Sequence, residues 1–325
     1  MIKQMESASL NGRQLYHAIW QNVANLFYDA DRLAEKDWAS KEHAYDERIV
    51  DDRSALAFAA EALKTLDDKY TRLVPQDEYA EHAKERDDPE DSSVFSLIMP
   101  GNVGYIRILS FSQANVIEQV ARAAEEIKSC VAFIVDVRNN GGGLIDDTAN
   151  CLEMFVASGT ITAIERRTKS GIKRRVIGFR EDAYIILENE DGVDKEPDLY
   201  MRRAPILAGK PTVVLFNDRT ASSAELFASA ILENGKDSGL CIAMGKTTAG
   251  KGIAQSTIVV LEGRANLKVT FARFFDANLA WLGDHGQKVA NGVRPDQVVD
   301  DSVEENASLT AAFKYLKSRL SLAAA

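Results

Sequence analysis

Residues 211–232 read PTVVLFNDRTASSAELFASAIL: an unbroken apolar run, a polar turn, then small and apolar residues in a helical pattern. A short continuous apolar run bounded by Pro211 and Asn217 fits a strand buried on both faces. Thr220, Ser222 and Ser223 stand where the next helix starts. Residues 132–152, AFIVDVRNNGGGLIDDTANCL, repeat the plan with a glycine turn in place of the hydroxyl turn. Two strand-turn-helix units with buried strands predict an α/β fold in which helices pack on a sheet.

The neighbouring segments fit this plan. VFSLIMPGNVGYIRIL (94–109) reads as two strands joined at Pro100-Gly101-Asn102, and Ile117, Val120, Ala124 and Ile127 give a helix that feeds VAFIVDV. A second helix is expected from Leu144 to about Val156, followed by a charged, β-rich insertion at about 160–205. LTAAFKYLKSRL repeats Leu309, Phe313, Leu316 and Leu320 on one face and predicts a closing helix at about 303–322. The first ninety residues read as helical. LYHAIWQNVANLF puts Leu15, Ile19, Val23 and Leu26 on one stripe, and Asp51/Asp52 open SALAFAAEALKTL. The polar, proline-punctuated HAKERDDPEDSS marks a loop or boundary, dividing a helical region (1–90) from the α/β core (91–325).

Composition narrows the function. With 325 residues, 46% of them hydrophobic and 27% charged, the chain can bury a large core. A net charge of −10 and the lack of a long basic run argue against nucleic acid as a partner. The basic stretch from Arg166 to Arg175 reads first as the solvated face of a strand pair, and second as a docking patch for an acidic partner. Cys130, Cys151 and Cys241 are odd in number and lack CxxC spacing, so buried thiols are expected and neither a disulfide framework nor a structural zinc. MIKQMESASLNG has no apolar leader and no stretch is long enough to span a membrane. The sequence as it stands therefore points to the cytoplasm, or to export if a leader has been removed.

The chemistry concentrates at the two turns. Ligand sites of α/β sheets gather at the carboxyl ends of strands, where free N–H groups and the dipole of the following helix favour negative charge. Ser222 is either an N-cap or a nucleophile, and a nucleophile needs a base. His17, His43, His82 and His285 all lie outside the segment 136–255 that carries the other candidates, so a Ser/His/Asp triad has little support. Lys251, in GKTTAGKGIAQ, is flanked by Gly250 and Gly252 and leads into an apolar strand. Burial there would lower its pKa enough to accept a serine proton; otherwise it is a surface lysine. Gln255 either orients that amine or faces solvent. The GKT triplet does not complete a phosphate loop, RNNGGG lacks the dinucleotide pattern, and Asp136 and Asp146 flank a glycine turn without a ligand cluster, so no nucleotide or metal site is expected.

At these residues the chain resembles the carboxyl-terminal processing peptidases, or tail-specific proteases, a Ser/Lys family of S41 type. FIVDVRNNGGGLID is similar to the family's LDLRNNPGGLL, with Gly141 for proline, and NDRTASSAE to its nucleophile segment N-x-G-T-A-S-A-S-E. GKTTAGKGIAQ is similar to G-x-x-x-F-G-K-G-x-x-Q, with Ala249 for the aromatic residue. GVRPD is similar to G-I-x-P-D, and LDDKYTRL to L-D-D-P-x-T-R-x-L. The resemblance implies a crotonase-like ββα core, Ser222 as nucleophile, Lys251 as general base and Gln255 as the residue positioning it. It also implies an oxyanion hole from the N–H groups of Gly142 and Ser223, with no cofactor and no metal. It implies a serine endopeptidase that cleaves proteins or peptides near an unstructured carboxyl terminus, with a homo-oligomer left open. The family's PDZ domain has no room between LDDKYTR and YIRI, which makes this a PDZ-less member. A catalytically inactive peptide- or apolar-ligand-binding protein on the same fold is the alternative.

Overall fold

The computed structural model describes residues 2–80, 92–169, 171–236 and 239–323, with side chains from residue 11 to 321. Most of the loop expected at 82–93, and the boundary at 90/91, lie outside the described residues. Residues 81–91 are in any case too few to hold a PDZ domain.

Two sheets organise the chain. The first has six strands in the order β14-β11-β10-β4-β3-β2: β2 (Val94–Met99), β3 (Val103–Ile108), β4 (Ala132–Asp136), β10 (Thr212–Phe216), β11 (Cys241–Gly245) and β14 (Gln297–Val298). β2 and β3 form the expected hairpin, with Gly101 and Asn102 taking the positive φ its turn requires. The remaining pairings are parallel. β4 and β10 are buried at every residue, which is why they read as unbroken apolar runs rather than as alternation.

Alternate residues of these strands feed two cores. Phe133, Val135, Val214 and Phe216 pack with the helices that cross one face. These helices are α4 (Val116–Ile127), α5 (Ile145–Leu152) and α6 (Ser223–Gly235). Ile134, Val213, Leu215 and Met244 point the other way, against the closing helix α7 (Ala307–Ala323), whose Leu316 is buried and whose Leu309, Phe313 and Leu320 pack around it. A buried Arg138 ties these layers at the strand ends, reaching Asp136 at 2.6 Å and Asp301, just before α7, at 2.9 Å.

The second sheet contains β1 (Arg72–Val74), β12 (Ile253–Val260), β13 (Ala265–Phe275) and the insertion strands β5 (Gly159–Arg167), β6 (Ile172–Arg180), β7 (Ala183–Glu190), β8 (Val193–Asp194) and β9 (Asp198–Met201). β13 pairs with β12 along one edge, while β1 and then β5 take the other. The amino-terminal helices α1 (Ile2–Leu26), α2 (Ala30–Glu35) and α3 (Asp52–Lys64) have no core of their own. Leu15, Ile19, Val23 and Phe27 close on Leu267, Val269, Val260 and Ala265. The stripe read at 15–26 therefore meets the β12–β13 hairpin more than two hundred residues away in sequence. Cys130 and Cys151 are buried, Cys241 is half-buried, and all three are free thiols.

Candidate active site

The turn between β10 and α6 is held by the glycine turn beside it. Thr220 Oγ1 donates to the Val137 carbonyl at 2.9 Å, and the Ala221 N–H donates to the Asn140 carbonyl at 2.9 Å. Ser222, which follows, has φ 61° and ψ −130°, a conformation outside the regions an L-residue with a Cβ normally occupies. Such strain persists only where the surroundings impose it. A sharp strand-to-helix turn of this kind is also how hydrolases expose a nucleophilic serine. Gly142 lies against this turn: with φ +101°, an added Cβ would sit 2.8 Å from Ser222 Cβ.

Glu225 joins the serine turn to the lysine loop. It is fully buried, one turn into α6, in a helix whose flanking residues Ala224, Leu226 and Phe227 are buried as well. One carboxylate oxygen accepts from the backbone N–H groups of Ser222 at 2.7 Å and Lys251 at 2.8 Å. The other accepts from the Gly250 N–H at 2.7 Å and the Thr248 hydroxyl at 2.5 Å. Burial pushes the Glu225 pKa up, and the four donors pull it back. Thr248 is held in turn by Val293, in the GVRPD segment. In the sequence Glu225 stands only as the acid that closes NDRTASSAE at the start of the helix. The readable signal was an acid within SAELFASAI, a helical stretch apolar or small on all sides, where a charge must be buried and therefore must be partnered.

Lys251 and Ser222 line one cleft of about 770 Å³, together with Gln255. Burial, with Lys268 and Lys69 nearby, pulls the Lys251 pKa down to about 8, and Glu225 acts in the opposite direction. The ammonium lies 5.0 Å over the ring of Tyr70. The Tyr70 hydroxyl is hydrogen-bonded to His285, and the depressed His285 pKa reflects burial, Lys69 and Lys251. A histidine set aside on sequence distance thus belongs to the lysine's surroundings, through Tyr70 and not as a partner of Ser222. Among the described residues no hydrogen bond joins Ser222 Oγ to Lys251 Nζ.

Two other expected roles have different partners here. The Gln255 amide donates to Thr270 Oγ1 at 3.4 Å rather than to the lysine. Thr270 donates to Asp68 Oδ2 at 2.7 Å, which also accepts from Thr71 Oγ1 at 2.6 Å. The LDDKYT segment therefore braces β13 through Asp68 and Thr71 and lies under Lys251 through Tyr70. The Gly142 N–H donates to Asn140 Oδ1 at 2.8 Å instead of facing the cleft. The Ser223 N–H, at the first position of α6, has no acceptor among the described residues, as a first-turn donor free to bind an anion requires. Asp136 is paired with Arg138 and accepts from Tyr105 at 2.8 Å, and Asp146 faces Arg175 at 3.3 Å.

Known proteins match at several levels. The family model described as peptidase family S41 covers residues 102–299. The carboxy-terminal processing protease CtpA of Bacillus subtilis is 30% identical over 204 residues, 62% of this chain and 37% of that protein. The chloroplastic C-terminal processing peptidase of Tetradesmus obliquus is 32% identical over 202 residues, 62% of this chain and 36% of that one. The matched stretch thus spans little more than a third of these relatives. The solved photosystem II D1 C-terminal processing protease superposes with a TM-score of 0.66 at 18% identity, over 90% of this chain and 94% of that one. A lipoprotein from Streptococcus agalactiae superposes with a TM-score of 0.61 at 15% identity, covering 95% and 96%. These two structures share the mixed α/β fold. With the family model spanning well over half of its residues, the chain belongs to peptidase family S41.

Proposed function

We propose that the protein is a serine endopeptidase that uses a Ser222/Lys251 dyad to cleave proteins or peptides near their carboxyl ends, as the names of its relatives describe. The observation that carries this reading is the strained backbone of Ser222 in a cleft shared with a half-buried lysine whose pKa is drawn down to about 8. Near neutral pH a useful fraction of Lys251 is then uncharged and able to take a proton. Ser222 Oγ attacks the scissile carbonyl as Lys251 Nζ accepts the hydroxyl proton. The C–N bond breaks as that proton passes to the leaving amine, and water, activated by the same amine, releases the acyl group. The Ser223 N–H faces the developing oxyanion. For Gly142 to serve as the second donor, its N–H must leave Asn140. The dyad itself closes when substrate is seated, since catalytic hydrogen bonds often tighten only then. Gln255 acts on the lysine indirectly, by fixing β12 to Thr270.

The test is cleavage of an unstructured protein tail by wild type, Ser222→Ala and Lys251→Ala, with circular dichroism of each. Loss of at least about a thousandfold in both variants, with the fold retained, is expected. Undiminished cleavage by either would sink the dyad.

A further inference from the structure

The cleft beside Ser222 holds more cations than it neutralises. Arg166 on β5, Lys173 and Arg175 on β6 and Lys268 on β13 line it together with Lys251, facing Asp146, Asp147 and Glu188. Lys173 is matched by Glu188 at 2.7 Å and Arg175 by Asp146 at 3.3 Å. Arg174 and Arg273, on the same strands, share Glu165 at 3.2 and 2.8 Å. Arg166 and Lys268 have no carboxylate or hydrogen-bond acceptor among the described residues. They stand unpaired in a protein with a net charge of −10, where acids are plentiful. Lys268 is half-buried and is the first of the neighbouring charges that depress Lys251, so the two ammonium groups repel each other. Around them the walls are apolar: Ile164, Ile253, Phe271 and Phe274. Low-dielectric walls around uncompensated charge focus the field into the cleft, attracting an anion and opposing a cation.

We propose that the cleft selects substrate chains bearing a carboxylate, which docks on Lys268 and Arg166. This rests on the peptidase reading and adds the chemistry that the active site reads. A guanidinium offers a planar pair of donors and an ammonium a point charge, and each forms charge-assisted bonds to a carboxylate that are stronger than neutral ones. Within the basic stretch of β5 and β6, Lys173, Arg174 and Arg175 are matched by Glu188, Glu165 and Asp146 and Arg167 donates to the Ala24 carbonyl, while Arg166, on the cleft, is left for the ligand. The carboxylate is supplied either by an acidic side chain or by the chain terminus.

Fluorescent peptides with an apolar background and Glu, Gln or Lys at one position, each with a free and an amidated terminus, are titrated into Ser222→Ala protein and followed by anisotropy. Their cleavage by wild type gives kcat/KM. Peptides carrying the docked carboxylate are expected to bind about tenfold tighter than those lacking it at low salt, with the gap closing at high salt. If Glu→Gln removes the advantage the group is a side chain, and if amidation removes it the group is the terminus. Arg166→Gln and Lys268→Gln each shrink the gap, and Lys268→Glu turns the preference towards the Lys peptide, an outcome a misfolded variant cannot give. Equal affinity for all peptides, or none, with wild-type cleavage intact overturns the proposal and leaves the peptidase reading standing. A carboxylate preference in binding, without cleavage by wild type, upholds the subsite and ends the peptidase reading.

Discussion

Ser222 and Lys251 donate their backbone N–H groups to the same oxygen of Glu225, at 2.7 and 2.8 Å. The spacing of the two proposed catalytic residues is thus fixed through one buried carboxylate, although 26 residues separate that acid from the lysine. Glu225→Gln keeps the shape but turns an NH₂ group towards N–H donors. The expected outcome is a folded protein, destabilised by about 1–3 kcal/mol, with kcat down ~100-fold through misplacement. Chemical denaturation and steady-state kinetics read the two effects separately. Unchanged kcat would mean that the loops hold their spacing without the acid.

The pKa of Lys251 sets a pH profile. In the proposed mechanism the neutral amine is the active form, so kcat/KM is expected to climb as pH rises towards about 8 and to level off beyond it. Lys268→Gln removes a like charge, which raises the Lys251 pKa and moves the rising limb to higher pH. A limb that stays in place in this variant would show that Lys268 does not act on the base.

Burying this lysine costs stability. Its folded-state pKa is below its unfolded one, so the cost is fully present below about pH 8 and is relieved as pH rises towards the ordinary lysine value of 10.5. Lys251→Met is expected to stabilise the fold by about 1–3 kcal/mol at pH 7 while abolishing cleavage. The gain should shrink as pH rises from about 8 and vanish above 10.5, as thermal melts across that range would record.

Gly142→Ala tests the close contact at the serine turn. The new methyl would meet Ser222 Cβ at 2.8 Å and the Ala221 oxygen at 2.9 Å, from a residue with φ +101°. A loss of about 1–3 kcal/mol and a fall in kcat are expected. Gly141→Ala, where a Cβ meets nothing within 4 Å, is the neutral control. Equal behaviour of the two variants would remove Gly142 from the site.

The core architecture was legible because its signals are local: apolar runs at 132–135 and 213–216, a Pro-Gly-Asn turn at 100–102, and hydroxyl and glycine residues at two helix starts. What escaped depends on contacts between distant segments. Glu225 is three residues from Ser222, so capping was its visible role, and nothing near it in sequence announces Gly250 or Lys251. Gln255 was placed four residues after the lysine with the right chemistry to orient it. The bulge between Ala254 and Gln255 and the hydroxyl of Thr270 on the paired strand gave its amide another partner. Tyr70 and His285 reach Lys251 from opposite ends of the chain, which no periodicity records.

The union of α1 and α3 with β12 and β13 also orders events during synthesis. Leu15, Ile19 and Val23 leave the ribosome more than two hundred residues before the surfaces they cover, Val260 to Val269, are made. Ser222 is translated before Lys251 and before the hairpin that follows it, so a nascent chain holds the proposed nucleophile without its proposed base. A stalled chain ending before residue 253 is expected to be inactive and readily digested. The late arrival of one hairpin would thus hold back the proposed activity until residues 253–275 have been made.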